Sequence, residues 1–324
     1  MVLLADNTRV SRAALALLCM QRHSWEQGVA MQAFYEMGQS DIVISLAREA
    51  VNRSLPDGRL ATIGVIDAVT DSCATGEALL AACTMTGDSG LRNGYDALLH
   101  WALEDAPRSR KGVVYHLINT HEFWVDSMYM LPPYLASAGK YEEALINIFG
   151  YWEALYDPDA RLMFHKWDED THTYIHPVHW GSGNGWAIAG IARVIGLLPE
   201  SYQKEKQRLG SMGKTLVDSV LLHMRPDGLF HDVIDDKNTF VETNVTQMLA
   251  YSIFRGMMDG WLDKGYIPIV NTLRLAAQNK IDCFGFVQDV CGAPTFDKSG
   301  ISPEAQSFYL MMETAAAQFE QRQF

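Results

Sequence analysis

Positive charge is scarce in this chain. Its 324 residues carry 26 Lys and Arg against 39 Asp and Glu, a formal net charge of −13. Nucleic-acid phosphates are repelled at long range by such a field, which argues against a nucleic-acid partner. The same field opposes an anionic sugar, so a ligand of that kind needs donors concentrated at its own site. Cysteine is sparse as well. Cys19, Cys73, Cys83, Cys283 and Cys291 are dispersed, odd in number, and lack CxxC or Cys/His ligand spacing. That set suits free thiols in a reducing compartment better than a disulfide framework. No run approaches the ~20 apolar residues of a membrane span, so no membrane partner is expected. No linker or low-complexity stretch interrupts the chain, and residues 1–324 read as one domain. The amphipathic stretch Ala13–Met20 follows Arg12 without a small-residue cleavage pattern. It does not read as a secretory signal. The expected location is cytoplasmic, or secreted if a leader was trimmed ahead of Met1.

Helical periodicity is abundant. Runs such as Ser127–Ala138, Ala187–Leu198 and Gln247–Met258 are too long for strands. Helices are expected near 8–20, 24–37, 41–54, 73–86, 89–105, 125–138, 140–156, 184–197, 201–224, 243–259, 263–279 and 303–320. Short turns at Gly38-Gln39-Ser40, Gly87-Asp88-Ser89 and Ala138-Gly139-Lys140 join neighbours into hairpins. The longer connections precede residues 24, 73, 125, 184, 243 and 303, and hold most of the Trp, His, Asp and Gly residues. A recurrence of roughly 50–60 residues marks a repeated supersecondary unit. Six such hairpins close into an all-α ring, with every long connection entering an inner helix from the same end. The polar and aromatic residues then gather at one mouth.

Asp126 lies beside Trp124 at the start of an inner helix. It reads either as a helix N-cap or as a carboxyl in an aromatic pocket, fitted by desolvation for general-acid work. The helix dipole pulls the other way and favours the carboxylate. Asp71, in Ile66–Ser72, offers a second carboxyl across the mouth or another N-cap. The segment His179-Trp180-Gly181-Ser182-Gly183-Asn184-Gly185-Trp186 combines glycines that let backbone approach a ligand with indoles on which a sugar ring can stack. It matches neither a dinucleotide fingerprint nor a P-loop. His165-Lys166-Trp167-Asp168-Glu169-Asp170 lacks EF-hand spacing and reads as a solvated loop carrying a histidine. Glu242 reads as a hydroxyl acceptor or a first-turn acid, and Trp25 as a stacking wall or core.

In this order the motifs resemble glycoside hydrolase family 105, the unsaturated rhamnogalacturonyl hydrolases and their relatives. Trp124-Val125-Asp126-Ser127-Met128-Tyr129-Met130 is similar to the family's W-x-D-x-[LM]-[FY]-M stretch. His165-x-Trp167-Asp168, Trp180–Trp186 with Leu198-Pro199, Phe240-x-Glu242, Trp25-x-x-Gly28 and Thr86-Gly87-Asp88 also agree. The resemblance implies an (α/α)6 barrel and a substrate that is an oligosaccharide ending in a 4,5-unsaturated uronic acid. It further implies protonation at C4, water addition at C5, and expulsion of the remaining sugar, without metal or nucleotide cofactor. Asp126 matches the family's general acid and base, and Asp71 its assisting aspartate. His165, Trp180 and Asn184 match substrate-contacting positions, with Trp124 and Trp186 beside them. One departure stands out. The family's W-x-R-G-N-G-W has Ser182 in place of arginine, and serine cannot supply a guanidinium's fork of donors. Either the sugar beyond the unsaturated residue differs, or another group replaces the arginine, for which His179 is a candidate.

The rival readings are an inverting glycosidase acting on saturated glycosides through Asp71 and Asp126, a sugar epimerase with a base on each side of the ring, and a non-catalytic carbohydrate-binding barrel. Asp126→Asn separates the classes, because an enzyme loses turnover yet still binds, and a binder scarcely changes.

Overall fold

A computed structural model describes residues 8–62 and 66–322. Its α-helices are α1 Arg9–Met20, α2 Ser24–Glu36, α3 Ser40–Asn52, α4 Gly76–Thr86, α5 Ser89–His100, α6 Ser127–Met130, α7 Pro132–Ser137, α8 Tyr141–Leu155, α9 Gly181–Leu197, α10 Gln203–Leu221, α11 Asn244–Met258, α12 Ile267–Gln278 and α13 Pro303–Gln321. A 3-10 turn over Asp71–Thr75 leads into α4, and a π turn over Trp101–Asp105 extends α5. These are the twelve segments expected from periodicity, with one interrupted. The helix foreseen over 125–138 breaks at Leu131, because Pro132 has no N–H to continue the ladder and starts α7 instead.

Neighbour contacts define the ring. α2 packs on the 71–75 turn and α4, these on α6 and α7, these on α9, then α11, then α13, and α13 returns to α2. Each inner helix carries an outer partner: α3 on α2, α5 on α4, α8 on α7, α10 on α9, α12 on α11 and α1 on α13. The last pair joins the two ends of the chain and closes the (α/α)6 barrel. The inner wall is mostly apolar, with Phe34, Tyr129, Tyr251, Phe308 and Leu79 among its largest fully buried side chains. The turns end their helices as foreseen. Gly38, Gly87 and Gly139 all take positive φ, 70°, 64° and 73°, which relieves the strain a Cβ would bring there.

Short strands ride on this frame at the mouth. Lys166–Asp168 pairs with both Glu122–Trp124 and Thr173–His176 in an antiparallel sheet of three strands. The 165–170 segment is therefore a structured wall and not a solvated loop. Its backbone donors are spent on partners that lie more than forty residues upstream and a few residues downstream. All five cysteines are free thiols. No helix among the described residues is long and apolar enough to cross a membrane.

Candidate active site

The inner helices all begin at one end of the ring, and a cavity of about 640 Å³ opens there. Its wall takes Trp25 from the start of α2, Asp71 before α4, Asp126 before α6, Trp180 before α9, Asp232 from the connection into α11, and Glu304 from the first turn of α13. Helix N-termini carry the positive ends of their dipoles. Converging them gives a locally favourable field for an anion inside an acidic protein.

Asp71, Asp126 and His116 form the densest group in this wall. One ligand atom from each lies within 4.8 Å of the others, with Asp71 Oδ1 3.9 Å from His116 Nε2. Asp126 occupies the N-cap position of α6 and Asp71 the first turn of the 3-10 segment, and no side-chain capping hydrogen bond is made at either start. Burial pushes the Asp71 carboxyl well above its ordinary range, and the neighbouring charge of Asp126 adds to the shift. Asp126 Oδ1 is buried and makes no hydrogen bond among the described residues. His116 is fixed from behind, its Nδ1 3.0 Å from both Thr70 Oγ1 and Ser127 Oγ. Desolvation lowers its pKa, so the ring is held neutral. Two carboxyls and an imidazole at this spacing could also hold a divalent cation.

The tryptophans follow a shared plan. The indole N–H of Trp25 donates to Glu304, that of Trp124 to Glu122 at 2.7 Å, and that of Trp180 to Asp232 at 3.2 Å. A histidine lies against each ring: His23 on Trp25, His116 on Trp124 at 4.1 Å between centroids, and His165 on Trp180 at 4.7 Å. Carboxylate and imidazole together lock each indole in one orientation. His165 is kept neutral by burial and by Lys166, and its Nδ1 meets His176 Nδ1 at 2.9 Å. Lys166 sets its Nζ 3.3 Å above the centre of the Trp124 ring. Trp186 reaches the cavity only as its floor, 3% exposed between Tyr129 and Phe308.

The structure thus brings together Trp25, Asp71, Trp124, Asp126, His165, Trp180 and Trp186. Four expected contacts do not reach the cavity wall. His179 turns away, its Nδ1 2.7 Å from Asp235 and its Nε2 3.2 Å from Asp157, so it replaces no arginine. The Asn184 side chain ties α9 to the Met163 backbone, accepting from its N–H at 2.8 Å and donating to its carbonyl at 3.1 Å. Glu242 is fully buried and accepts from the backbone N–H groups of Asn244, Val245 and Cys291. Ser182 is buried, and its hydroxyl has no hydrogen-bond partner among the described residues. The glycines of this segment serve packing, not a ligand. A Cβ at Gly183 would lie 2.6 Å from Val125 Cγ1, and one at Gly185 2.4 Å from the Met248 sulfur.

Sequence reasoning passed over His116, Lys166, His176, Asp232, Phe296 and Glu304, all of which line the cavity. Glu304 had a signal, since it opens the sixth mouth helix. The others depend on sheet register and loop closure.

A helical barrel whose mouth sets paired carboxyls among oriented indoles has the build of a carbohydrate-cleaving enzyme. The chain belongs to Glycosyl Hydrolase Family 88, whose family model matches residues 6–320. It is 25% identical over 260 residues to the unsaturated rhamnogalacturonyl hydrolase YesR of Bacillus subtilis, covering 75% of this chain and 72% of that protein. It is 24% identical over 193 residues to the unsaturated 3S-rhamnoglycuronyl hydrolase of Formosa agariphila, covering 53% of this chain and 51% of that protein. A solved glycoside hydrolase from family 105 of C. acetobutylicum superposes with a TM-score of 0.84 at 16% identity, over 96% of this chain and 99% of that one. At that identity the superposition speaks for the fold.

Proposed function

We propose that this protein hydrates the C4–C5 double bond of a 4,5-unsaturated uronic acid at the non-reducing end of an oligosaccharide and thereby releases it. The observation that carries the reading is the Asp71–Asp126 pair in the cavity wall, with one carboxyl held protonated by burial and by its neighbour's charge. An enol ether needs a proton at one carbon and a water at the next. Two carboxyls that cannot easily both ionise keep such a proton available at neutral pH. Asp126, with an unpartnered oxygen, delivers the proton to C4. The water oxygen bonds to C5 and gives up its spare proton to the ionised carboxylate, so the pair ends with the proton count it began with. The C5 hemiketal opens, and the remaining sugar leaves with its own oxygen. Asp71 serves as the proton store behind Asp126. Trp25 and Trp180 give oriented faces for the sugars, and the converging helix N-termini favour the substrate's negative charge.

The test is the decay of ultraviolet absorbance in a panel of unsaturated uronyl disaccharides, because hydration destroys the conjugated double bond. Decay with at least one member, absent in Asp126→Asn, is expected. No decay with any member, alongside release from saturated glycosides, would hand the site to the inverting mechanism.

A further inference from the structure

Among the described residues, the cavity that must receive a uronate contains several carboxyls and a single Lys or Arg side chain, Lys166. Asp71, Asp126, Asp232, Asp297 and Glu304 share the wall with it. Ser182 is buried outside the wall. His179 is held away by Asp157 and Asp235. We propose that Lys166 binds the uronate carboxylate. This rests on the unsaturated-uronate reading and names the residue that recognises the acid group.

Register explains how Lys166 gets there. In the sheet of three strands, Lys166 sits directly opposite Trp124 on one side and His176 on the other. Paired residues on adjacent strands point to the same face, and all three line the cavity. A bulge between Lys166 and Trp167 marks the point where the ladder changes register. The ammonium lies over the Trp124 ring and forms no salt bridge among the described residues. Burial lowers its pKa, while the nearby charges of Asp126 and Glu122 pull it back up. It is therefore a cation already partly stripped of water, near the reacting carboxyls, with donors to spare. The neighbouring His165 and His176 are both shifted down and stay neutral, so no second full positive charge competes for the substrate.

The alternative role for Lys166 is to tune Asp126 without touching substrate. Acid and methyl-ester forms of the same unsaturated disaccharide separate the two, because the ester has no negative charge for the ammonium to meet. On the unaltered enzyme the acid should show the lower KM. Lys166→Met and Lys166→Gln should raise KM for the acid roughly 10- to 100-fold, the range for a charge-assisted contact. Their KM for the ester should stay within about threefold, and Lys166→Arg should recover most of the loss. Equal losses on acid and ester, or a displaced pH profile with an unchanged KM ratio, overturn the proposal. So does an unaltered enzyme that prefers the ester. Absence of turnover by the unaltered enzyme on both forms defeats the underlying reading, whereas turnover that ignores Lys166 defeats this inference alone.

Discussion

Two groups of buried or half-buried carboxyls sit inside the same ring of helices, and they are treated in opposite ways. Deep in the barrel, about 16 Å along α2 from Trp25 at 1.5 Å per residue, Glu36 binds the guanidinium of Arg193. Glu77 binds it from α4. The Tyr251 hydroxyl closes the group, 3.0 Å from Arg193 and 2.9 Å from Glu36. At the mouth Asp71, Asp126 and Glu304 share a wall that, among the described residues, holds no arginine, and Lys166 there lies over Trp124 without a salt bridge to any of them. An arginine stays charged at any pH a protein meets, so this cluster is an ion-paired brace that ties α2, α4, α9 and α11 together. At the mouth no guanidinium is bonded to the carboxyls, and burial holds a proton on Asp71. A buried carboxyl beside a fixed cation is cement. The same group without one is a reagent.

The comparison breaks most visibly if single substitutions exchange their effects. Asp126→Asn is expected to lower turnover roughly 10²- to 10⁴-fold, the range of general acid catalysis, while calorimetry still detects substrate binding. Arg193→Met is expected to cost about 3–5 kcal/mol of stability in urea unfolding, because it strands Glu36 and Glu77 without a partner. Its folded fraction should keep the parent's KM. An Asp126→Asn protein that unfolds, or an Arg193→Met protein that folds well and loses only chemistry, would invert the assignment.

The tryptophans extend the contrast between frame and site. Trp186 is packed between Tyr129 and Phe308, so Trp186→Ala should cost about 3–5 kcal/mol of stability. Trp180 is part exposed and oriented by Asp232. Trp180→Ala should raise KM roughly 2- to 10-fold with little loss of stability, the worth of an aromatic stack. Equal KM effects from both would place the floor and the wall in the same role.

How much of this was legible beforehand follows from the range of each interaction. The helices were, because periodicity and turn glycines act within a few residues, and the recurrence of long connections located the mouth. Asp71 and Asp126 emerged because they lie in those connections. The misassigned residues lie there too. His179, Asn184 and Glu242 were read as contacts, but a polar residue at a mouth either faces inward or braces the frame. Which it does is set by distant partners: Asp157 and Asp235, the Met163 backbone, and the Cys291 amide. Lys166 was hidden for the same reason, since its direction comes from pairing with Trp124, 42 positions upstream, and with His176.

Asp71 gives a smaller effect with a definite sign. Its carboxyl binds a proton more tightly in the folded chain than in the unfolded one, whose value is ~3.9. The stability it contributes is complete below that value and is lost as the pH rises from there through the folded one. Asp71→Asn cannot ionise, so it should match the parent near the acid end and melt higher at neutral and mildly alkaline pH. The gain is roughly 1–2 °C for each kcal/mol recovered in a chain of this size. Turnover falls in the same variant, and in the parent the rate should decline on the alkaline side as the stored proton is lost. A stabilising advantage that appears only below about pH 4 would contradict the shift assigned to Asp71.

The smallest expected effect is none at all, and it bears on the comparison directly. Asp71, Asp126 and His116 are spaced to accept a divalent ion, and an ion there would give the mouth the fixed cation that Arg193 gives the interior. It would also hold both carboxyls ionised and leave no proton for C4. Turnover should therefore be unchanged by a chelator and lowered by added Zn²⁺, with the chelator reversing the inhibition. A preparation that loses activity on chelation and regains it with metal would make both carboxyl groups cation-compensated. The proton donor would then have to be sought in a metal-bound water rather than in the Asp71–Asp126 pair.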